Sequence, residues 1–129
     1  MESALRAALM AWLASDNTLS AQLNSVTEET PAKAAIPWLA VAASASTDWS
    51  TKDRDGREVR VALELHCRGD RPDTAADLVR LIEMRVAALP ESQEGFEVAS
   101  CRFLRARSEQ RSGNVRAILT EFRFRVLAI

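Results

Sequence analysis

Glu58, Glu64 and His66 have the residue types and the spacing that acid–base chemistry needs, and His66 is the only histidine of the chain. On a strand, side chains two residues apart lie on the same face, so Glu64 and His66 can form a carboxylate–imidazole pair. Alternating charges are also typical of a solvent-facing strand, and this interpretation is favoured here. A single histidine excludes multi-histidine metal sites within one chain.

Other catalytic signatures are missing from the sequence. It contains no GxGxxG, GxxxxGK[ST] or GxSxG motif, and Ser108 and Ser112 have no identifiable base nearby. Cys67 and Cys101 belong to no CxxC or Cys/His cluster, so both are predicted to be small buried hydrophobes. The sequence therefore predicts a protein that is not an enzyme, with no catalytic residues, no cofactor and no metal.

Trp49 is the residue with the clearest binding potential, because it lies in a polar connection, Ser46–Arg57. It either folds back over the sheet edge or forms an exposed aromatic anchor for a partner, since tryptophan is enriched at interface hot spots. Charged loop and strand residues complete the candidate interface. Its members are Trp49, Asp48, Lys52, Asp53, Arg54, Glu28, Glu29, Arg123 and Arg125.

The elements that position these residues are organised around the stretch 58–89. Apolar residues at every second position over Glu58–Cys67 predict a half-buried strand. Residues 68–72 contain Gly and Pro, which marks a turn. From Ala75 to Leu89 the apolar residues recur at helical spacing. A half-buried strand that leads into a one-faced helix indicates a sheet with a helix laid on it.

The rest of the chain supplies one more helix and three more strands. A helix is predicted over 2–13, followed by a possible extra turn over 19–23 and a polar loop over 24–35. Strands are predicted over 36–44, 96–107 and 116–129, with a polar turn over 107–114. The Asp-Gly pair at 55–56 predicts a hairpin between the first two strands. The predicted fold is α+β, a mostly antiparallel four-stranded sheet with two helices on one face, in the order α-β-β-α-β-β.

Composition places limits on the function. Length predicts one domain over residues 1–129. The formal net charge of −1 argues against a protein whose main task is to grip nucleic acid through its phosphates. No apolar run approaches a membrane span and the N-terminus carries no basic leader, so neither a membrane protein nor a signal peptide is expected.

The order of the elements resembles the tail completion, or tail terminator, proteins of long-tailed phages with non-contractile tails. The resemblance runs over almost the whole chain. It is carried by the N-terminal Ala/Leu helix and by three segments, IPWLAV, REVRVALELHCRGDRPDTAADLVRLIEMRVAAL and VRAILTEFRFRV. The Arg- and Ala-rich composition also suits a gene transfer agent, which is a phage-like particle.

The resemblance implies a structural role rather than catalysis. Such subunits form a ring, implied to be hexameric, that ends tail-tube polymerisation at the head-proximal end. Its implied partners are further copies of the chain, the tail tube protein and the head–tail connector or stopper protein. DNA would pass through the lumen without specific binding, and assembly would take place in the bacterial cytoplasm. Another neck or head-closure component, or a stand-alone α+β binding module, remains the alternative.

Overall fold

The computed structural model describes all residues of the chain, 1–129. It contains three helices and five strands, so the predicted count of two helices and four strands is wrong in detail. In chain order the elements are α1 (Glu2–Ala14), α2 (Asn17–Gln22), β1 (Ser25–Thr27), β2 (Trp38–Asp48), β3 (Gly56–Arg68), α3 (Pro72–Ala87), β4 (Phe96–Arg111) and β5 (Val115–Ala128).

All five strands form one sheet, in the order β1-β2-β3-β5-β4. The pairs β2–β3, β3–β5 and β5–β4 are antiparallel, whereas β1 runs parallel to β2. The sheet is therefore mixed. The parallel pair arises because the segment after β1 crosses back and starts β2 beside it, with Ser25 opposite Trp38.

The two longer helices cover one face of the sheet, which we call the inner face. Apolar residues of β3 and β5, such as Val61 and Phe124, are fully buried there against Leu9 of α1 and Ile82 of α3. The opposite, outer face carries most of the charged residues of the same two strands. Period-two and helical apolar patterns thus predict the main layer arrangement correctly.

A reciprocal contact joins α1 to α3. The guanidinium carbon of Arg85 lies 3.3 Å from the centre of the Trp12 ring. Trp12 Nε1 donates to the backbone oxygen of Arg85 at 2.7 Å, and Arg85 Nε donates to the backbone oxygen of Trp12 at 3.0 Å. Each side chain therefore donates a hydrogen bond to the backbone oxygen of the other residue, and the guanidinium stacks on the indole ring.

Several element boundaries differ from those predicted. The predicted loop 24–35 contains β1, and the possible turn near Leu19 is the helix α2, whose first turn is capped by Asp16. β2 extends to Asp48, and β4 continues to Arg111, so the predicted turn over 107–114 shortens to the three residues after Arg111. None of the three helices has the length and apolar content needed to cross a lipid bilayer.

Candidate functional site

Arg123 and Arg125 meet on the outer face around a single carboxylate. Glu58 Oε1 accepts a hydrogen bond from Arg125 Nε at 3.1 Å and lies 3.9 Å from Arg123 Nε. Both arginines are on β5, directly beside β3, so the strand register brings them together. One glutamate between two arginines leaves this part of the outer face with an excess of positive charge.

The register adds a further like-charged row that the sequence analysis did not identify. Arg60 of β3, Arg123 of β5 and Arg102 of β4 lie side by side across three strands. Like charges directly opposite each other on a sheet face are destabilising. Only the strand order reveals this row, because its members lie far apart in the sequence.

Trp49 begins the loop that connects β2 to β3. Its backbone N–H donates to Gly56 O at 3.0 Å, which closes the loop. A Cβ atom on Gly56 would lie 2.4 Å from Trp49 O, so only glycine fits at this close approach. The Trp49 side chain is half-buried, with the Arg125 guanidinium 5.4 Å from the ring centre. The structure therefore favours the fold-back interpretation of Trp49, and its role as an anchor stays a prediction.

Arg54 links the same loop to β4 and β5 through hydrogen bonds. It donates from Nε to the backbone oxygen of Ala128 at 2.8 Å and from Nη1 to Glu97 Oε1 at 2.8 Å. Lys52 and Asp53 are exposed at the loop tip. Asp48 accepts a hydrogen bond from Ser50 Oγ at 2.6 Å. Of these residues, Arg54 has a structural role in holding the loop in place.

Glu28 and Glu29 lie in a separate region, where the chain leaves β1. Glu28 is ion-paired with Arg6 of α1, and its backbone oxygen accepts from Val41 N at 3.3 Å. Glu29 is exposed, and its carboxylate makes no hydrogen bond or ion pair. The structure therefore brings Trp49, Arg123 and Arg125 together but places the two glutamates on the other side of β2.

The sequence predicted a possible Glu64–His66 pair, and the structure contains it. His66 Nε2 lies 2.6 Å from Glu64 Oε1, and the imidazole stacks on Trp38 with ring centres 4.0 Å apart. Both side chains are mostly buried, at 16% and 15% exposure, so His66 is not the solvated residue that alternation suggested. The chain has no group of three histidine, cysteine or carboxylate side chains placed to hold a metal ion.

The two thiols also lack the properties of reactive groups. Burial raises the pKa of Cys101 to about 11 and raises the pKa of Cys67 from its ordinary value. Both cysteines are free, and Cys67 is buried in the core. Thiols that remain protonated at neutral pH are poor nucleophiles and poor metal ligands.

The edge strand β4 exposes a basic segment that the predicted interface left out. Arg105, Arg107 and Arg111 are exposed by 66%, 60% and 43%. Phe103 is one of the few large exposed hydrophobics, at 45% exposure. The signal in the sequence is the frequent arginine between 102 and 111. The predicted strand 96–107 already held Arg102 and Arg105, whereas Arg111 fell in the predicted turn 107–114 and belongs to β4 in the structure.

The chain is similar to known proteins in both sequence and fold. One protein family, described as "Tail completion protein gp17", matches residues 7–127 of the chain. Among solved structures, the chain is similar to a chain of one described as "Virion of native gene transfer agent (GTA) particle", with a TM-score of 0.80 and 21% sequence identity. That alignment covers 98% of this chain and 97% of the other, and shows a shared fold. No curated protein sequence is significantly similar.

Proposed function

This chain belongs to the tail completion protein gp17 family, which makes it a structural component of a phage-type tail, and we propose that its copies form a ring that ends the tail tube. The ring is hexameric and lies at the head-proximal end of the tail. It stops polymerisation of the tube protein and offers its other side to the head connector or stopper protein. The chain acts by contact alone and performs no chemical reaction.

The family match over residues 7–127 is the observation that carries the proposal. The fold similarity to a chain in a gene transfer agent virion supports placing the protein in such a particle. We propose that DNA crosses the ring without being held, since a chain of net charge −1 offers little general attraction to phosphates.

A closed ring also places a demand on the subunit. Copies related by rotation use two different surfaces, one on each side, and these must complement each other. The chain has the required asymmetry, because its charged regions differ in sign from one side of the sheet to the other. Residues 1–50 hold two basic and five acidic residues, whereas residues 96–129 hold seven arginines and three glutamates.

Deletion of the gene from its particle-producing cluster tests the proposal. We expect overlong tail tubes, or tails that never join filled heads, when the particles are viewed by negative-stain electron microscopy. Supplying the wild-type gene from a plasmid should restore tails of normal length. Tails of normal length with heads attached in the deletion strain would reject the terminator function and favour a stand-alone binding module.

A further inference from the structure

On each side of the sheet, one strand has an edge whose backbone groups lack a hydrogen-bonded partner strand along most of its length. β4 is the last strand on one side, and its first residues are covered by the preceding segment, through Val98 N donating to Glu91 O at 2.7 Å. On the other side, β1 pairs only with residues 38–40 of β2. Beyond Val41, β2 is hydrogen-bonded to β3 alone. Unpaired strand edges are templates for pairing with another chain.

The free segments of these two edges match in length. The register between β4 and β5 shifts at two bulges, but it runs without interruption from Arg105 to Arg111. The register between β2 and β3 shifts once and then runs without interruption from Ala43 to Asp48. Seven and six regular residues correspond to a shared length of about 20 Å. Both bulges of β4 therefore lie before Arg105, and the segment Arg105–Arg111 keeps a regular pairing register.

The two edges also match in direction. Three antiparallel steps separate β2 from β4, so these strands run in opposite directions within one chain. When one copy is placed beside another without inversion, β4 of the first lies antiparallel to β2 of the second. Antiparallel pairing is the slightly more stable of the two arrangements, and it requires no rearrangement of either chain.

Charge distinguishes this pairing from the alternatives. The free part of β2 has carboxylates at both ends, with Glu28 and Glu29 beside Val41 and Asp48 at the other end. Between them, Ala43 and Ala45 are exposed and uncharged. The free part of β4 carries Arg105, Arg107, Arg111 and one carboxylate, Glu109, a net charge of +2. Its arginines are ion-paired within the chain, with Glu121, Glu109 and Glu64, so the net charge of the segment rather than a free arginine is what a neighbour meets. Two β4 edges would set two segments of net positive charge side by side, whereas β4 against β2 sets a net positive segment beside a segment flanked by carboxylates.

From these observations we propose that the free edge of β4, Arg105–Arg111, pairs antiparallel with the free edge of β2, Ala43–Asp48, in a second copy of this chain. The last residues of the β4 segment, near Arg111, then lie beside the acidic end of the neighbour's free edge at Glu29. The sheet continues from copy to copy around the ring. This inference rests on the proposed ring and specifies the contact that closes it.

Engineered cysteines test the contact in assembled particles. Ser44 and Ser108 are exposed and lie on the inner-face side of their strands. Within one chain, two intervening strands separate β2 from β4 by about 14 Å, which is too far for a disulfide. The double variant Ser44→Cys/Ser108→Cys can therefore cross-link only between copies. A second double variant, Ser46→Cys/Ser108→Cys, covers the register shifted by two residues.

We expect oxidised particles of one of the double variants to give a series of covalent oligomers beyond the dimer on a non-reducing gel. Each single variant, and the wild-type chain with its two native cysteines, should stay monomeric on the same gel. Dimers from Ser108→Cys alone would indicate two-fold β4–β4 pairing and overturn the inference.

Quantitative mass spectrometry of the same particles separates the two proposals. Several copies per particle with no cross-linking in either double variant would overturn the edge contact and leave the proposed ring in place. A chain missing from otherwise complete particles would instead overturn the proposed function, and the inference with it.

Discussion

At the scale of single residues, the two thiols show how burial sets chemical behaviour. Burial raises the pKa of Cys101 to about 11, and Cys67 is shifted in the same direction. Because the unfolded chain ionises first, these thiols make no difference to stability at neutral pH. As the pH rises from about 9 towards 11, they lower the free energy of unfolding.

The same shift predicts slow thiol chemistry in the folded protein. At pH 8 we expect Cys101 to react with an aromatic disulfide reagent about a hundredfold more slowly than it does in denatured protein, because its thiolate is that much rarer. The absorbance of the released thiol measures both rates. The Cys67→Ala variant isolates the signal of Cys101, and equal rates in folded and denatured protein would contradict the burial argument.

Trp49 shows the limit of what the sequence alone could predict about a side chain's contacts. Its position in a polar loop left two interpretations open, and the sequence could not choose between them. The contact that favours the fold-back interpretation is with Arg125, which is distant along the chain and comes within 5.4 Å of the ring only through the strand order. The Glu64–His66 pair was predictable because it is local, whereas the stacking on Trp38 required the register between β2 and β3.

At the scale of elements, the contact between α1 and α3 depends on the shape of one side chain. Arg85 stacks on Trp12 and also donates to Ser15 Oγ at 2.9 Å and to the Trp12 backbone oxygen at 3.0 Å. A lysine keeps the charge but cannot stack as a plane or make both hydrogen bonds in this geometry. The helix pair should therefore be sensitive to a change that conserves charge.

We expect Arg85→Lys to lower the free energy of unfolding by about 1–2 kcal/mol, from the lost stacking and one lost hydrogen bond. The matched control is Arg80→Lys, because Arg80 is exposed on the same helix and makes no hydrogen bond or ion pair. Urea unfolding followed by circular dichroism gives both values. A midpoint for Arg85→Lys that equals the control would show that the contact contributes nothing.

The elements that the sequence predicted well are those whose pattern reflects burial. β3, β5 and α3 each set an apolar face against the core, so their periodicity is strong. β1 has only three residues, and parallel pairing with β2 is what makes it a strand. The end of β4 is polar on both faces and is held by β5, so its composition is that of a turn. Tertiary pairing overrides local preference in both cases.

At the scale of the whole molecule, the charge is nearly balanced but unevenly distributed. Residues 96–129 hold seven arginines and three glutamates, a net charge of +4, whereas residues 1–95 hold ten basic and fifteen acidic residues, a net charge of −5. β4 and β5 therefore form a basic side, and the acidic residues of the first half include those around the free edge of β2. Opposite signs on two sides favour contact between different surfaces of identical copies.

This distribution predicts that self-association weakens with salt. Raising NaCl from about 0.1 M to about 1 M shortens the Debye length from about 10 Å to about 3 Å, which screens exposed arginine–carboxylate attraction. Sedimentation velocity of the purified chain should show a smaller oligomeric fraction at the higher salt.

Glu29→Arg should weaken association at low salt and flatten its salt dependence, because Glu29 is exposed, unpaired and beside the free edge of β2. Glu94→Arg changes the net charge equally in the connection before β4, so it should associate like the wild type. Equal weakening by both variants would mean that total charge, rather than the opposed sides of the sheet, governs association.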